Sequence, residues 1–218
     1  MVPRVKICCI ASIEEAKMAI RYGASAIGLV SEMPSGPGVI QENLIAEIAK
    51  TVPPGVASFL LTSKQSAASI IEQQKKTSVN TIQICDRISH EGYNDLRSAL
   101  PGIAIVQVIH VTGTESIEEA KSVAPYVNAI LLDSGNQSLP VKELGGTGRV
   151  HDWTISRRIR ESVNVPLYLA GGINALNVVE ANNQVQPFGI DVCSGVRTNG
   201  KLDELKLEEL FQQVHMIH

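Results

Sequence analysis

The residue best placed to move a proton is Asp133, an acid that closes the apolar run Ala129-Ile-Leu-Leu. A carboxyl group at the end of a buried strand needs a partner or a task, and burial suits it to hold and release a proton. The other reading of Asp133 is a cap on the turn Ser134-Gly-Asn. Cys8 ends the first apolar run, where a thiol acts as base or nucleophile if cations or helix dipoles favour its thiolate. Its alternative is a small buried hydrophobe. His110 follows Ile105-Val-Gln-Val-Ile109, a place for a general base, a phosphate contact or a hydrogen-bonded structural imidazole. No serine nucleophile elbow is present, since Ser194 beside Gly195 reads as an anion-binding turn.

Glycines supply the second chemical signal. They stand in Gly145-Gly-Thr-Gly148, in Leu167-Tyr-Leu-Ala-Gly-Gly172 and in Gly189-Ile-Asp-Val-Cys-Ser-Gly195, in each case just beyond a short apolar run. Glycines after the last strands of a (β/α)8 barrel let backbone N–H groups and a helix N-terminus approach an anion. A phosphate-bearing ligand is the first functional expectation, with Gly146, Thr147, Gly148, Gly171, Gly172, Ser194 and Gly195 as its contacts.

These residues need strands to carry them. Apolar runs at Val5–Cys8, Ala26–Val30, Val56–Leu61, Thr81–Cys85, Ile103–Ile109, Ala129–Leu132, Leu167–Ala170 and Ile190–Cys193 alternate with helical patterns. Eight apolar strands separated by helices predict a parallel sheet buried on both faces. A doubly wound open sheet would carry its glycine fingerprint after the first strand. Here that strand is followed by Cys9-Ile-Ala-Ser, so the pattern predicts a single (β/α)8 TIM barrel over residues 1–218. Ser12 with Glu15 and Ser116 with Glu119 read as capping boxes, and both open the string Ser-Ile-Glu-Glu-Ala-Lys.

Composition narrows the function. The 218 residues are 44% hydrophobic and 19% charged, enough apolar material for one core. A net charge of −3 and no long basic run give no field for nucleic acid. The absence of a long apolar run and of a leader pattern leads us to expect no membrane partner and a cytoplasmic location. The four cysteines, Cys8, Cys9, Cys85 and Cys193, lack the dense spacing of a disulfide scaffold and read as free thiols. Thiols at strand ends are also soft metal ligands, but no Cys-x-x-Cys pair supports that reading, and no metal is expected.

Together the motifs Val5-Lys-Ile-Cys8, Ala24-Ser-Ala-Ile-Gly28, Leu131-Leu-Asp-Ser134, Gly145-Gly-Thr-Gly148 with Asp152-Trp153, Leu169-Ala-Gly-Gly-Ile173 with Asn177-Val178, and Asp191-Val-Cys-Ser-Gly-Val196 resemble phosphoribosylanthranilate isomerase of tryptophan biosynthesis, in order and along nearly the whole chain. The resemblance implies an Amadori rearrangement of an aminoaldose phosphate to an aminoketose phosphate, an intramolecular oxidoreduction without cofactor. It implies Asp133 as general acid and Cys8 as general base, a small phosphosugar as partner, and a monomer or homodimer.

Departures cluster at the opposite end of that ligand. Cys9 stands where the family usually has glycine, and Met33-Pro-Ser-Gly-Pro-Gly-Val39 replaces a Ser-Pro-Arg element. Ile84-Cys85-Asp86-Arg87 replaces Leu-His-Gly, and Ser-Gly-Val-Glu becomes Ser194-Gly-Val-Arg197. Arg87, Arg149 and Arg197 are then candidates to meet a substrate carboxylate, with solvated rim charges as the alternative. His110 remains a possible substrate contact. Cys9 is expected to face away from the site, because neighbours in a strand point to opposite faces.

Overall fold

The computed structural model describes residues 2–146 and 148–217. The eight barrel strands are β1 (Arg4–Ile7), β2 (Ala26–Val30), β3 (Ala57–Thr62), β4 (Thr81–Ile84), β5 (Ala104–His110), β6 (Ala129–Asp133), β7 (Leu167–Leu169) and β8 (Gly189–Val192). Helices α1 (Ile13–Tyr22), α2 (Glu42–Ala49), α3 (Ala67–Thr77), α4 (His90–Ala99), α5 (Glu115–Val123), α6 (Trp153–Ser162), α7 (Val178–Val185) and α8 (Glu204–His215) each follow one strand. The pairs among these eight strands are parallel and β1 pairs with both β2 and β8, closing the (β/α)8 barrel. A small antiparallel pair, β9 (Arg197–Thr198) with β10 (Lys201–Leu202), lies between β8 and α8 and was not anticipated; two-residue strands carry no periodicity to read.

Each strand faces two apolar layers, which is why its residues are apolar on both sides. Ile7, Ile27, Leu29, Leu60 and Ile82 pack outward against helix residues such as Ala16, Ala19, Ile45, Ile48 and Leu207. Cys8, Ala26, Phe59, Leu61, Val106, Val108, Leu131 and Tyr168 fill the barrel interior. The Phe59 and Tyr168 rings meet edge-on at 5.9 Å, a favourable arrangement of their quadrupoles.

The repeated six-residue string adopts two different roles. Ser12 caps α1, its hydroxyl accepting from the Glu15 amide, while Glu15 reaches back to the Ala11 amide. Ser116 does not cap α5, which starts two residues earlier than such a cap would set, behind Thr114. It is buried inside the first turn, accepting from the Thr112 amide and donating to the His110 carbonyl. Glu119 leaves the helix start for Arg87. An acid at Glu115, bonded to the Thr112 hydroxyl, gives this helix an earlier start than the shared string suggests.

Candidate active site

Cys8 sits one residue beyond β1, its amide bonded to the Val192 carbonyl of β8. Behind it, the register of the two strands puts Lys6 beside Asp191, with Nζ 2.9 Å from Oδ1. Lys6 is fully buried and lies 5.2 Å from the centroid of the Phe59 ring. Burial works against its charge, but the field and hydrogen bond of Asp191 outweigh this and hold the ammonium above the ordinary lysine range. A methyl group on Gly28 would fall 2.8 Å from the Cys8 sulfur and 3.0 Å from Lys6 Nζ, so thiol and ammonium share one small space. A hydrogen bond with the Cys9 thiol, opposed by burial and aided by Lys6, brings the Cys8 thiol below its ordinary range. The result is a thiol inclined toward thiolate at the floor of the mouth.

Asp133 ends β6, buried, with Oδ1 accepting from the Ser134 amide at 2.7 Å. Its Oδ2 lies beneath Gly145, where a Cβ would approach to 2.7 Å. Cys8 and Asp133 line one cavity of about 670 Å³, open mouth included. Its wall carries Gly145, Gly146, Gly148, Gly171, Gly172 and Ser194, from the loops after β6, β7 and β8. Gly171 and Gly172 have φ of 84° and 66°, a region that glycine enters without strain. The Ser194–Val196 turn after β8 is a short 3₁₀ helix whose first residue lines the cavity. Gly195 is behind this wall, where a Cβ would strike the Ile173 carbonyl at 2.1 Å, so it permits close loop packing. Thr147 lies outside the described residues.

The loops after β2 and β6 touch across the opening. Ser35 Oγ donates to the Lys142 carbonyl at 2.7 Å, and Pro37 packs where a Gly146 side chain would be. Val30, Met33, Leu61 and Leu144 give this end of the cavity an apolar wall. Among the described residues, no lysine or arginine lines it.

That arrangement corrects several expectations. Arg87 is exposed and forms a two-pronged pair with Glu119 on the outer face between α4 and α5, because its strand end turns outward. Arg197 is buried away from the cavity: its guanidinium donates to the carbonyls of Cys8, Cys9 and Gly200 and pairs with Glu15 at 3.1 Å. Arg149 pairs with Glu143. His110 is outside the cavity lining, with Nε2 3.0 Å from the Cys85 carbonyl and its ring beneath Gly135. Cys9 does not face away. The chain has left β1 there and takes φ 61°, turning its side chain into the cavity with its sulfur 2.7 Å from that of Cys193. Strand alternation did not extend that far, since β1 ends at Ile7.

Three residues escaped the sequence reading. Lys6 and Asp191 are single charges inside short apolar strands, a signal visible in Val5-Lys-Ile and Gly189-Ile-Asp-Val. Gln83 on β4 lines the cavity, and its Oε1 is buried without a hydrogen-bond partner, an acceptor for a ligand hydroxyl or N–H.

Comparison with known proteins agrees with this geometry. Residues 5–213 match the family model of N-(5'-phosphoribosyl)anthranilate (PRA) isomerase. N-(5'-phosphoribosyl)anthranilate isomerase 2 of Methanosarcina mazei is 36% identical over 206 residues, covering 94% of this chain and 90% of its own. The Methanocella arvoryzae isomerase is 31% identical over 98% of both chains. Among solved structures, the Thermotoga maritima isomerase superposes with a TM-score of 0.83 at 26% identity, over 98% of each chain. Another structure of the family, at TM-score 0.81 and 25% identity over 98% of each chain, holds reduced 1-(o-carboxyphenylamino)-1-deoxyribulose 5-phosphate. The chain belongs to the N-(5'-phosphoribosyl)anthranilate isomerase family.

Proposed function

We propose that this protein converts N-(5'-phosphoribosyl)anthranilate to the corresponding aminoketose phosphate, with Asp133 as general acid and Cys8 as general base. The observation that carries the reading is that a buried carboxyl and a thiol brought below its ordinary range, from separate strands, line one cavity walled by glycine loops. The phosphate rests on the amides of Gly171, Gly172 and the Ser194 turn, which fixes the sugar between the two groups. Asp133 gives a proton to the ring oxygen and opens the sugar to a Schiff base. Cys8 then takes the C2′ proton, leaving an enolamine that becomes the ketone. Gln83 Oε1 accepts from a sugar hydroxyl.

The aromatic ring packs on Val30, Met33, Leu61 and Leu144, with its carboxylate toward the open rim. A carboxylate in water needs no buried cation, which fits the positions of Arg87 and Arg197. The test is turnover of phosphoribosylanthranilate by the purified protein and by Asp133→Asn and Cys8→Ser. Each substitution should lower kcat about 10²-fold or more with a smaller change in KM. No turnover by the parent, or full turnover by either variant, overturns the assignment. Rescue of a tryptophan auxotroph lacking its own isomerase checks the reaction in a cell.

A further inference from the structure

Cys9 and Cys193 are the unexplained feature of the mouth. Neither has a part in the proposed proton transfers, yet their sulfurs are 2.7 Å apart and both line the cavity. Three neighbours hold Cys9 in this position. Its backbone is in the left-handed region, which disfavours any residue bearing a Cβ. The guanidinium of Arg197 grips the carbonyls on both sides of the strained link, Cys8 and Cys9. The β2 loop supplies the space, since a side chain on Gly38 would fall 2.5 Å from Cys9 Cβ, and the Pro37 carbonyl accepts from the Cys9 thiol at 3.6 Å. The glycine replaced by Cys9, the glutamate replaced by Arg197 and the rewritten loop at Met33–Val39 therefore meet at one thiol.

We propose that Cys9 and Cys193 form a dithiol oxidation site whose reactant is a hydroperoxide entering through the mouth. The thiols follow the ends of β1 and β8, which are neighbouring strands, and their sulfurs stand close enough that only a small shift separates them from an S–S bond. Cys193, the less buried of the two, takes one oxygen from the hydroperoxide, which leaves as the alcohol or as water. The Cys9 sulfur then displaces hydroxide from the resulting sulfenic acid. The S–S bond forms, the S–O bond breaks, and the Cys9 proton leaves with the oxygen as water. Two thiols are oxidised by two electrons in all, and the hydroperoxide is reduced by two.

The bond would consume the thiol next to Cys8 and tie the β1 end to the turn carrying Ser194. Both the base and the phosphate seat would feel it. The site is therefore expected to couple turnover to the oxidation state of a pair that does not itself take part in the reaction.

The experiment treats reduced protein with a small excess of hydrogen peroxide, blocks the remaining thiols by alkylation, and reads intact mass, linked peptides and turnover. The expected product has lost two hydrogens, yields one linked peptide pair bearing Cys9 and Cys193, and turns over at least about tenfold more slowly until dithiothreitol restores it. Cys193→Ser and, separately, Cys9→Gly should give no linked pair at the same dose. The mass readout does not depend on which substrate the enzyme takes, so it stands apart from the proposed function. Recovery of both thiols in alkylated form, with oxygen added at Cys8 instead, would overturn the site. A linked pair with undiminished turnover would overturn its coupling to the reaction.

Discussion

Two sides of the mouth are built by different means. After β6, β7 and β8 the wall is largely backbone: glycines at positive φ line the cavity, and the side chains nearby mostly hold loops. At the ends of β1 and β8 the wall is side chain: Cys8, Cys9, Cys193 and Asp191 line it, with Lys6 packed behind them against Asp191. The backbone side tolerates changes that keep glycine where φ demands it. The side-chain side depends on charges that have no water to screen them.

The largest expected effect comes from Lys6→Met. It leaves Asp191 buried without its cation, and breaking such a pair destabilises a protein by about 3–5 kcal/mol. The ammonium favours the Cys8 thiolate, so its loss raises the thiol's proton affinity and moves the acid limb of the kcat/KM profile to higher pH. Lys6→Met with Asp191→Asn should recover stability in urea and keep the displaced limb; recovery of both would separate Lys6 from the thiol.

Arg197→Ala comes next. Its guanidinium serves three carbonyls and Glu15, and removing it should lower stability by about 3 kcal/mol. The KM values for substrates with and without an aromatic carboxylate should change by the same factor, because the group does not line the cavity. A selective rise for the aromatic substrate would put it back among the ligand contacts.

On the backbone side, Gly172→Val adds a Cβ 2.8 Å from Val150 at φ 66°. The loop after β6 must give way, so binding of ribulose 5-phosphate by calorimetry should weaken about tenfold, roughly 1.4 kcal/mol. Unchanged affinity in a folded variant would move the phosphate elsewhere. The smallest effect belongs to Arg87→Ala, an exposed pair worth less than about 1 kcal/mol in thermal unfolding and without influence on KM.

The same contrast explains what could be read from the chain alone. Glycines announce backbone work, and Gly146, Gly148, Gly171 and Gly172 line the cavity as expected. Asp133 and Cys8 could be placed at the mouth because each ends an apolar run, and both line the cavity. Arg87 and Arg197 were misread for the opposite reason. A guanidinium reaches several ångströms from its Cα, and its direction is decided by partners such as Glu119 and Glu15 that lie far along the chain. Cys9 was misplaced because one residue of left-handed backbone resets the alternation on which the argument rested. Ser116 shows the same limit at a helix start, where identical local residues yield to the acid and hydroxyl just before them.

The joint between β1 and β8 also bears on how the molecule comes into being. Lys6 and Asp191 are 185 residues apart, and Glu15 and Arg197 are separated by 182. Contacts this distant are the last for which loop closure is repaid, so the barrel's seam is expected to zip after the consecutive βα units have formed. During synthesis the first strand emerges with a lysine whose counter-ion, Asp191, is still to be made. The buried ammonium behind Cys8 is thus neutralised only when the eighth strand arrives, and the floor of the mouth is the last part of the barrel to be completed.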